Sequence, residues 1–401
     1  MKAMAPAGGN AGVLRSMYFV AMAMFLITIA IGILNGLDVV EFNKAQLLTH
    51  VHSGTLGWIS LALVTSAMWL TRNVNRRLAM TLAILIPIYV AAFYSGNFPA
   101  RATAGTAVLI AVLWVLLWAW RQVGADRSLP VLAVALGLTT FAYGAIIGVG
   151  IQIELASDRK IFPATGDAIG AHASAMVFSY LILVAMGLIE WQVKGTAGRP
   201  RAGLVQIGAL FLGGLILSAT LLFAGDEAAK AAGGIDLLVE LVAVVLFVVR
   251  VVPAALRTSW GSATGRRHLA VAALYVPVAM AIFMYVIVLF ITVGIEKISP
   301  RVFEASDHAA FIGVITNLVL GLILIATADR GEEAGMAGQV GFWVMNGGLV
   351  IFLAGLMTDS TAIIRVGAPA MGVGILIVLW VAAMRLRGSD LRATSAGGSA
   401  G

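Results

Sequence analysis

Two histidines open one of the long apolar stretches of the sequence, in the segment "THVHSGTLGW". They are His50 and His52, and the whole chain contains only 5 histidines. An ionisable residue inside a long apolar helix is costly and is by default a candidate for function. Because an imidazole nitrogen is a common ligand of iron, zinc and copper, the two rings are candidate metal ligands.

Two further histidines begin apolar stretches in the same way. His172 lies in "GAHASAMVFSYLIL" and His308 in "SDHAAFIGVITNLVL". A single buried histidine is most simply explained by a hydrogen bond to a neighbouring helix, but the recurrence in three stretches favours a shared binding role. The fifth, His268 in "GRRHLA", belongs to a basic segment and is predicted to be a solvated loop residue.

The spacing of the first two histidines separates their side chains around the helix. An α-helix turns by about 100° per residue, so the rings of His50 and His52 point roughly 200° apart. They are therefore predicted to serve two sites on opposite sides of one helix. One of them is expected to pair with His308 and the other with His172, and the sequence leaves open which pairs with which.

A pair of imidazoles from two helices is typical of a haem iron held between them. Zinc and copper sites take three or four protein ligands, so copper is not expected, and haem b, in one or two copies, is the predicted cofactor. The chain has no cysteine, which excludes disulfides and attachment of haem through a Cys-x-x-Cys-His motif.

The composition indicates the elements that hold these residues. Of 401 residues, 61% are hydrophobic and 11% are charged, and the mean hydropathy is +1.00, as in multi-pass membrane proteins. We predict an all-α bundle with a short tail at 1–13, a transmembrane domain at 14–386 and a flexible tail at 387–401. The first apolar run is expected to stay as a spanning helix and not to be removed as a signal peptide. A window of about twenty residues predicts twelve spans, at 14–36, 47–71, 77–97, 102–121, 129–152, 165–192, 201–224, 233–256, 268–294, 304–328, 338–357 and 361–385.

The distribution of basic residues predicts the orientation. Most of the 26 Lys and Arg residues fall on one side of the predicted spans, which places both termini in the cytoplasm of a bacterium with the chain in its inner membrane. The net charge of +7 reflects this asymmetry, so the lipid bilayer is the expected partner and nucleic acid is not. The histidines then follow outer loops and begin spans 2, 6 and 10, which suggests a pseudo-threefold repeat of four helices.

A few other polar residues fall within the predicted spans. Asp236 and Glu240 lie one turn apart in span 8 and are the candidates for a proton relay. Tyr180, two turns beyond His172, is a possible third member, with simple packing as its alternative.

Twelve spans with cytoplasmic ends and these histidines resemble subunit I of the haem–copper oxidase superfamily, which includes the nitric oxide reductases and NnrS-type membrane haem proteins. In the oxidases, span 2 supplies one ligand of a low-spin haem, span 10 carries a His-x-His, and spans 6 and 7 supply three histidines for copper. The resemblance implies a pseudo-threefold bundle. It also implies that the cofactor-binding and haem-iron ligands of this chain are His50, His52, His172 and His308.

The chain departs from that pattern in ways that limit its chemistry. Its His-x-His is on span 2, span 10 has only His308, and span 7 has no histidine. A three-histidine copper site cannot be assembled, so reduction of oxygen to water by the family mechanism is not expected. Because haem carboxylates usually face the outer side in this superfamily, the resemblance also implies Arg101, Arg159 and Lys160 as their partners.

These features favour a haem-binding membrane protein that transfers electrons, or binds or reduces nitric oxide or oxygen, near the periplasmic face. A quinol, a periplasmic electron carrier or a diatomic gas would be its partner. If the protein is an enzyme, the expectation is a membrane oxidoreductase with b-type haem. Two alternatives remain, a secondary transporter with twelve helices and a haem-free accessory protein on an oxidase-like scaffold.

Overall fold

The computed structural model describes residues 8–195, 198–258, 260, 265–327 and 335–388. Over these ranges the chain is all-helical, without strands. The long helices are α1 Gly8–Gly36, α2 Lys44–Leu70, α3 Arg76–Tyr94, α4 Phe98–Ala125, α5 Leu129–Ser157, α6 Ala168–Lys194, α7 Arg201–Phe223, α8 Asp226–Arg250, α9 Gly265–Val293, α10 Pro300–Ala326, α11 Met336–Met357 and α12 Thr361–Gly388. A helical turn, Val252–Ala255, follows α8, and a 3₁₀ turn, Ile295–Lys297, precedes α10.

The helices agree with the predicted all-α membrane class. Within the described ranges, 11 helices are long and apolar enough to cross a membrane. Helix α8 is not among them, although it has 25 residues and overlaps the eighth predicted span. The chain is thus a multi-pass membrane protein by the length and composition of its helices, while the count of twelve spans, the threefold repeat and the side of the termini remain predictions.

The predicted tails lie mostly beyond the described residues, which exclude 1–7 and 389–401. Helix α1 already begins at Gly8, inside the tail predicted at 1–13, and α12 continues to Gly388. Hydropathy windows find only the apolar centre of a helix, so they start and stop short of its polar ends.

Short polar side chains start several of the helices. Asn43 forms a capping box with Gln46 at the start of α2, and Asn97 Oδ1 accepts a hydrogen bond from the Ala100 amide at 2.9 Å at the start of α4. Asp167 Oδ1 accepts from the Gly170 amide at 2.9 Å and starts α6. These caps satisfy amides that the first turn leaves without partners, and those of α2 and α6 fix where two of the histidine-bearing helices begin.

Three helices form the centre of the bundle, and they are those that carry the histidine motifs. Of the 11 candidate spans, α2, α10 and α6 are the most buried, with 94%, 89% and 72% of their most apolar stretch inside the protein. Each contains a π-helical segment, at Ser53–Ser60, Val177–Ile182 and Ala309–Thr316. Such segments are rare and often occur at functional sites.

The π-helical segments contact one another through polar side chains. Trp58 Nε1 on α2 donates a hydrogen bond to Thr316 Oγ1 on α10 at 3.0 Å. The π-helical segments of α6 and α10 also pack against each other, while Tyr180 Oη on α6 has no hydrogen-bond partner among the described residues. The three histidine-bearing helices thus pack against one another at the segments that follow their histidines.

A buried ion pair ties α6 to α8 at their basic ends. Arg250 donates hydrogen bonds to Glu190, and also to Gln206 Oε1 on α7 at 2.6 Å. The side chains of Arg250 and Glu190 are only 11% and 8% exposed, so each group depends on the other for compensation of its charge.

Candidate functional site

His50 lies against helix α1. Its Nδ1 donates a hydrogen bond to the Thr28 carbonyl oxygen at 2.9 Å. A Cβ atom on Gly32 would lie 3.0 Å from His50 Cε1, so the glycine lets the ring rest directly on the backbone of α1. The ring is half-buried, and its orientation is set by α1.

His308 faces the same region from helix α10. Its Nδ1 donates to the Glu304 carbonyl oxygen, one turn earlier, at 2.8 Å. The ring meets Phe352 of α11 edge to face, with centroids 4.9 Å apart. His308 and His50 are close enough to interact electrostatically, and we call them the first pair.

His52 and His172 form the second pair, on the other side of α2. His52 Nδ1 donates to the Leu48 carbonyl oxygen at 2.8 Å, and the ring stacks on Phe93 of α3 with centroids 3.7 Å apart. His172 Nδ1 on α6 donates to the Gly144 carbonyl oxygen on α5 at 2.7 Å. The two histidines interact electrostatically.

A shared hydrogen-bond pattern gives the four rings one tautomer. A carbonyl oxygen can only accept, so each Nδ1 carries the proton and each neutral ring keeps its lone pair on Nε2. Among the described residues, the hydrogen bonds of these four rings all go through Nδ1. Metal-ligating histidines are oriented in the same way, since they bind through one nitrogen while the other donates to a carbonyl or carboxylate.

Glycine makes room for one ring in each pair. A Cβ on Gly148 of α5 would lie 2.7 Å from His172 Cε1. Gly148 therefore leaves space for the His172 ring, just as Gly32 leaves space for the His50 ring. Any larger residue would displace the imidazole from the carbonyl that orients it. The two glycines lie on different helices, so each pair has its own backbone support.

Arg101 lies beside the second pair and is the site residue whose placement differs most from expectation. The resemblance implies a haem-carboxylate partner on the outer side, which stays a prediction, and the structure adds that the residue is only 3% exposed. Arg101 Nη2 donates to the Phe93 carbonyl oxygen at 2.7 Å, its guanidinium lies over the Phe93 ring at 4.8 Å, and Nε has no hydrogen-bond partner. It interacts electrostatically with His52.

The remaining predicted carboxylate partners lie elsewhere. Arg159 and Lys160 are exposed, after the end of α5. Only Arg101 therefore combines burial, an unpartnered donor and proximity to a histidine pair.

The residues of each pair fit a haem group. The donor set is two neutral imidazoles with free Nε2 atoms, and the buried Arg101 offers an N–H to a carboxylate near the second pair. Among the described residues, no group of three or more His, Cys, Asp or Glu side chains is placed to hold a metal ion. A haem needs no such group, because its macrocycle supplies the four equatorial nitrogens itself.

His268 is not the solvated loop residue that its basic neighbours suggested. It is 3% exposed, and its Nδ1 pairs with Asn317 Oδ1 of α10 at 2.9 Å. Gly265 and Gly321 lie against each other's backbones, so the start of α9 packs closely on α10 and buries the ring. In the sequence, Gly265 and Gly321 are the residues that could have indicated this contact. The arginines next to His268 favoured a solvated loop instead.

The three proposed relay residues are buried but fall in two places. Asp236 and Glu240 are 0% exposed on α8, and their carboxyl oxygens have no hydrogen-bond partner. Tyr180 is stacked on Phe141 with centroids 4.4 Å apart, which agrees with the packing alternative. The two acids face α7, where Gly213 admits Asp236.

The site is thus two histidine pairs on either side of α2, the second with a buried arginine beside it. Neither models of known protein families nor curated proteins match this chain.

Proposed function

We propose that this protein binds b-type haem in the membrane, through His50 with His308 and through His52 with His172. The observation that carries the proposal is the common state of the four rings, each with Nδ1 tied to a carbonyl oxygen and Nε2 left to bind. In this assignment α2 stands between two cofactors and supplies one ligand to each. Haem b, when bound, supplies an iron that exchanges one electron or binds a diatomic gas such as nitric oxide or oxygen.

The residues around the histidine pairs would have two different roles. The carbonyls of Thr28, Leu48, Gly144 and Glu304 keep the imidazoles oriented, so little reorganisation accompanies a change of charge at the ligand. Arg101 would hold a carboxylate of the second haem, and its positive charge would favour the reduced iron there. This asymmetry supports electron transfer between two unequal centres near the face that the topology assigns to the periplasm.

The topology and the resemblance to haem–copper oxidase subunit I support a location in a bacterial inner membrane. A quinol or a periplasmic electron carrier would then be the electron partner. An open iron at either pair would instead favour binding or reduction of a diatomic gas, as in a membrane oxidoreductase.

The rival function is a secondary transporter, and one observation favours it. Two unpartnered carboxyl groups lie within α8, and membrane-embedded acids often mark ion pathways. A colourless, haem-free protein from haem-replete cells would place this rival, or the accessory role, ahead of haem binding.

Optical spectroscopy tests the proposal. The purified full-length protein should show a Soret band, and the reduced minus oxidised spectrum should show b-type α bands. His308→Ala should remove the contribution of the first pair, and His172→Ala that of the second, each about half of the bound haem.

His268→Ala is the matched control for these variants. It removes an imidazole that is more deeply buried (3% exposed), is bonded to Asn317 and lies outside both pairs, so the haem content should not change. If pigment and spectrum survive both ligand changes, or if His268→Ala removes haem equally, the ligand assignment is wrong.

A further inference from the structure

The buried acids of α8 do not belong to the histidine pairs and call for a separate explanation. Asp236 and Glu240 are four residues apart, so their side chains lie on one face of the helix. That face continues with Ala243 and Phe247, and all four residues are 0% exposed. The opposite face is exposed on the outside of the helical bundle, with Leu238 at 64% and Val249 at 69% exposure.

Helix α7 is shaped to receive polar groups at this point. A Cβ atom on Gly213 would overlap Asp236 Oδ1, and one on the adjacent Gly214 would overlap Ser179 Oγ from α6. Ser179 is 0% exposed and its hydroxyl has no hydrogen-bond partner. The Asp236 carboxyl group from α8 and the Ser179 hydroxyl from α6 thus approach adjacent glycines of α7. Neither group has a hydrogen-bond partner among the described residues.

Among the described residues, no charged group is hydrogen-bonded to the two acids. None of the four carboxyl oxygens has a hydrogen bond within the described residues, and Arg250 on α8 is occupied by Glu190. The charged and titratable groups of the helices packed against α8 are Arg201 on α7 and Arg266, Arg267, His268, Tyr275 and Tyr285 on α9.

Two adjacent carboxylates in an apolar environment cannot both stay ionised without a counter-charge. Because both side chains are fully buried among packed helices, a compensating charge at this point has to be carried by a small cation. A proton meets this requirement without additional ligands, whereas a sodium or potassium ion takes several oxygen ligands.

We propose that Asp236 and Glu240 form a proton-binding site within the membrane, at which the two carboxyl groups hold an exchangeable proton at neutral pH. The proton comes from water and bonds to a carboxylate oxygen, and the second carboxyl group, one helical turn away, can accept a hydrogen bond from it. The site does not involve haem, so its test is independent of the test of the proposed function.

Infrared spectroscopy of the full-length protein in lipid nanodiscs tests the proposal. At neutral pH the wild type should show the C=O stretching band of a protonated carboxyl group, shifted in D₂O. The band should disappear in Asp236→Asn/Glu240→Gln and persist in Glu227→Gln, which changes an exposed acid of the same helix (89% side-chain exposure). Absence of the band from the wild type, or its survival in the double variant, would overturn the proposal.

Two further measurements need only the wild type and do not depend on how the variants fold. Dicyclohexylcarbodiimide, an apolar reagent that modifies protonated carboxyl groups, should label a peptide containing Asp236 or Glu240, more slowly as pH rises. Labelling confined to exposed acids would contradict the site. Loss of the infrared band when sodium or potassium replaces a bulky organic cation at constant ionic strength would also overturn it, in favour of an alkali-cation site.

Discussion

At the residue scale, the chemistry of the candidate site depends on which ring nitrogen of each histidine is free. The carbonyl acceptors of Thr28, Leu48, Gly144 and Glu304 assign the proton to Nδ1 in every case. Two of these acceptors are one turn earlier on the same helix and two are on a neighbouring helix. The four rings thus share one tautomer although their acceptors lie in different places. A binding role for all four Nε2 atoms requires this common tautomer.

Arg101 makes the two pairs electrically unequal. We expect Arg101→Gln to lower the midpoint potential of the haem at His52 and His172, because a nearby positive charge favours the reduced iron. The haem at the first pair should keep its potential. A spectroelectrochemical titration measures both, with Lys160→Gln, at an exposed position, as the control. Equal shifts of both potentials, or no shift, would contradict this role of Arg101.

The sequence predicted the residues of the pairs but not their environment. The "HVH" spacing indicated two sites on opposite sides of α2. In the structure His308 interacts electrostatically with His50, and His52 with His172, a choice that helical periodicity alone could not make, and their role as ligands stays a prediction. The burial of Arg101 was not predictable, since it depends on Phe93 from a neighbouring helix. His268 was misplaced for a similar reason, because its partner Asn317 lies 49 positions away.

At the scale of helices, glycines determine how closely one histidine of each pair approaches the neighbouring helix. We expect Gly148→Val to remove the second haem and leave the first, because a Cβ there would lie 2.7 Å from His172 Cε1. Haem content and the reduced minus oxidised spectrum measure the loss.

Gly208→Val is the matched control for that change. Gly208 is also in a long apolar helix, but a Cβ there meets no atom within 4 Å, so its haem content should stay at the wild-type value. A Gly148→Val protein with both haems would show that the close approach does not matter for binding.

The buried ion pair between α6 and α8 should matter for stability and not for haem. Glu190→Gln leaves Arg250 buried with one charge uncompensated, at a cost of about 3–5 kcal/mol in folding free energy, so the midpoint of thermal unfolding in detergent should fall. Glu190→Leu/Arg250→Met removes both charges and should cost less than the single change. A single variant as stable as the wild type would contradict this account of the pair.

At the scale of the whole molecule, the orientation is a prediction from the basic residues alone. Because the chain has no cysteine, single cysteines can be introduced without removing any. A membrane-impermeant thiol reagent should label Lys160→Cys in intact cells and Arg127→Cys only after permeabilisation. The reverse pattern would place the histidine pairs on the cytoplasmic side.

Hydropathy alone predicted the all-α membrane class, but it did not predict which helices lie at the centre of the bundle. The apolar windows located the long helices, because a membrane helix must be apolar over about twenty residues. They could not rank α2, α6 and α10 as the most buried, since burial against protein and burial in lipid select the same apolar residues. The histidines, and the π-helical segments that follow them, distinguish these three helices.

The central claim is that imidazoles meet in two pairs across α2, and electron paramagnetic resonance of the oxidised protein tests it most directly. The wild type should show low-spin haem signals typical of two imidazole ligands. His50→Ala and His308→Ala should change one signal, and His52→Ala and His172→Ala the other. Haem-free protein, or signals in which His50 and His52 affect the same centre, would contradict the account.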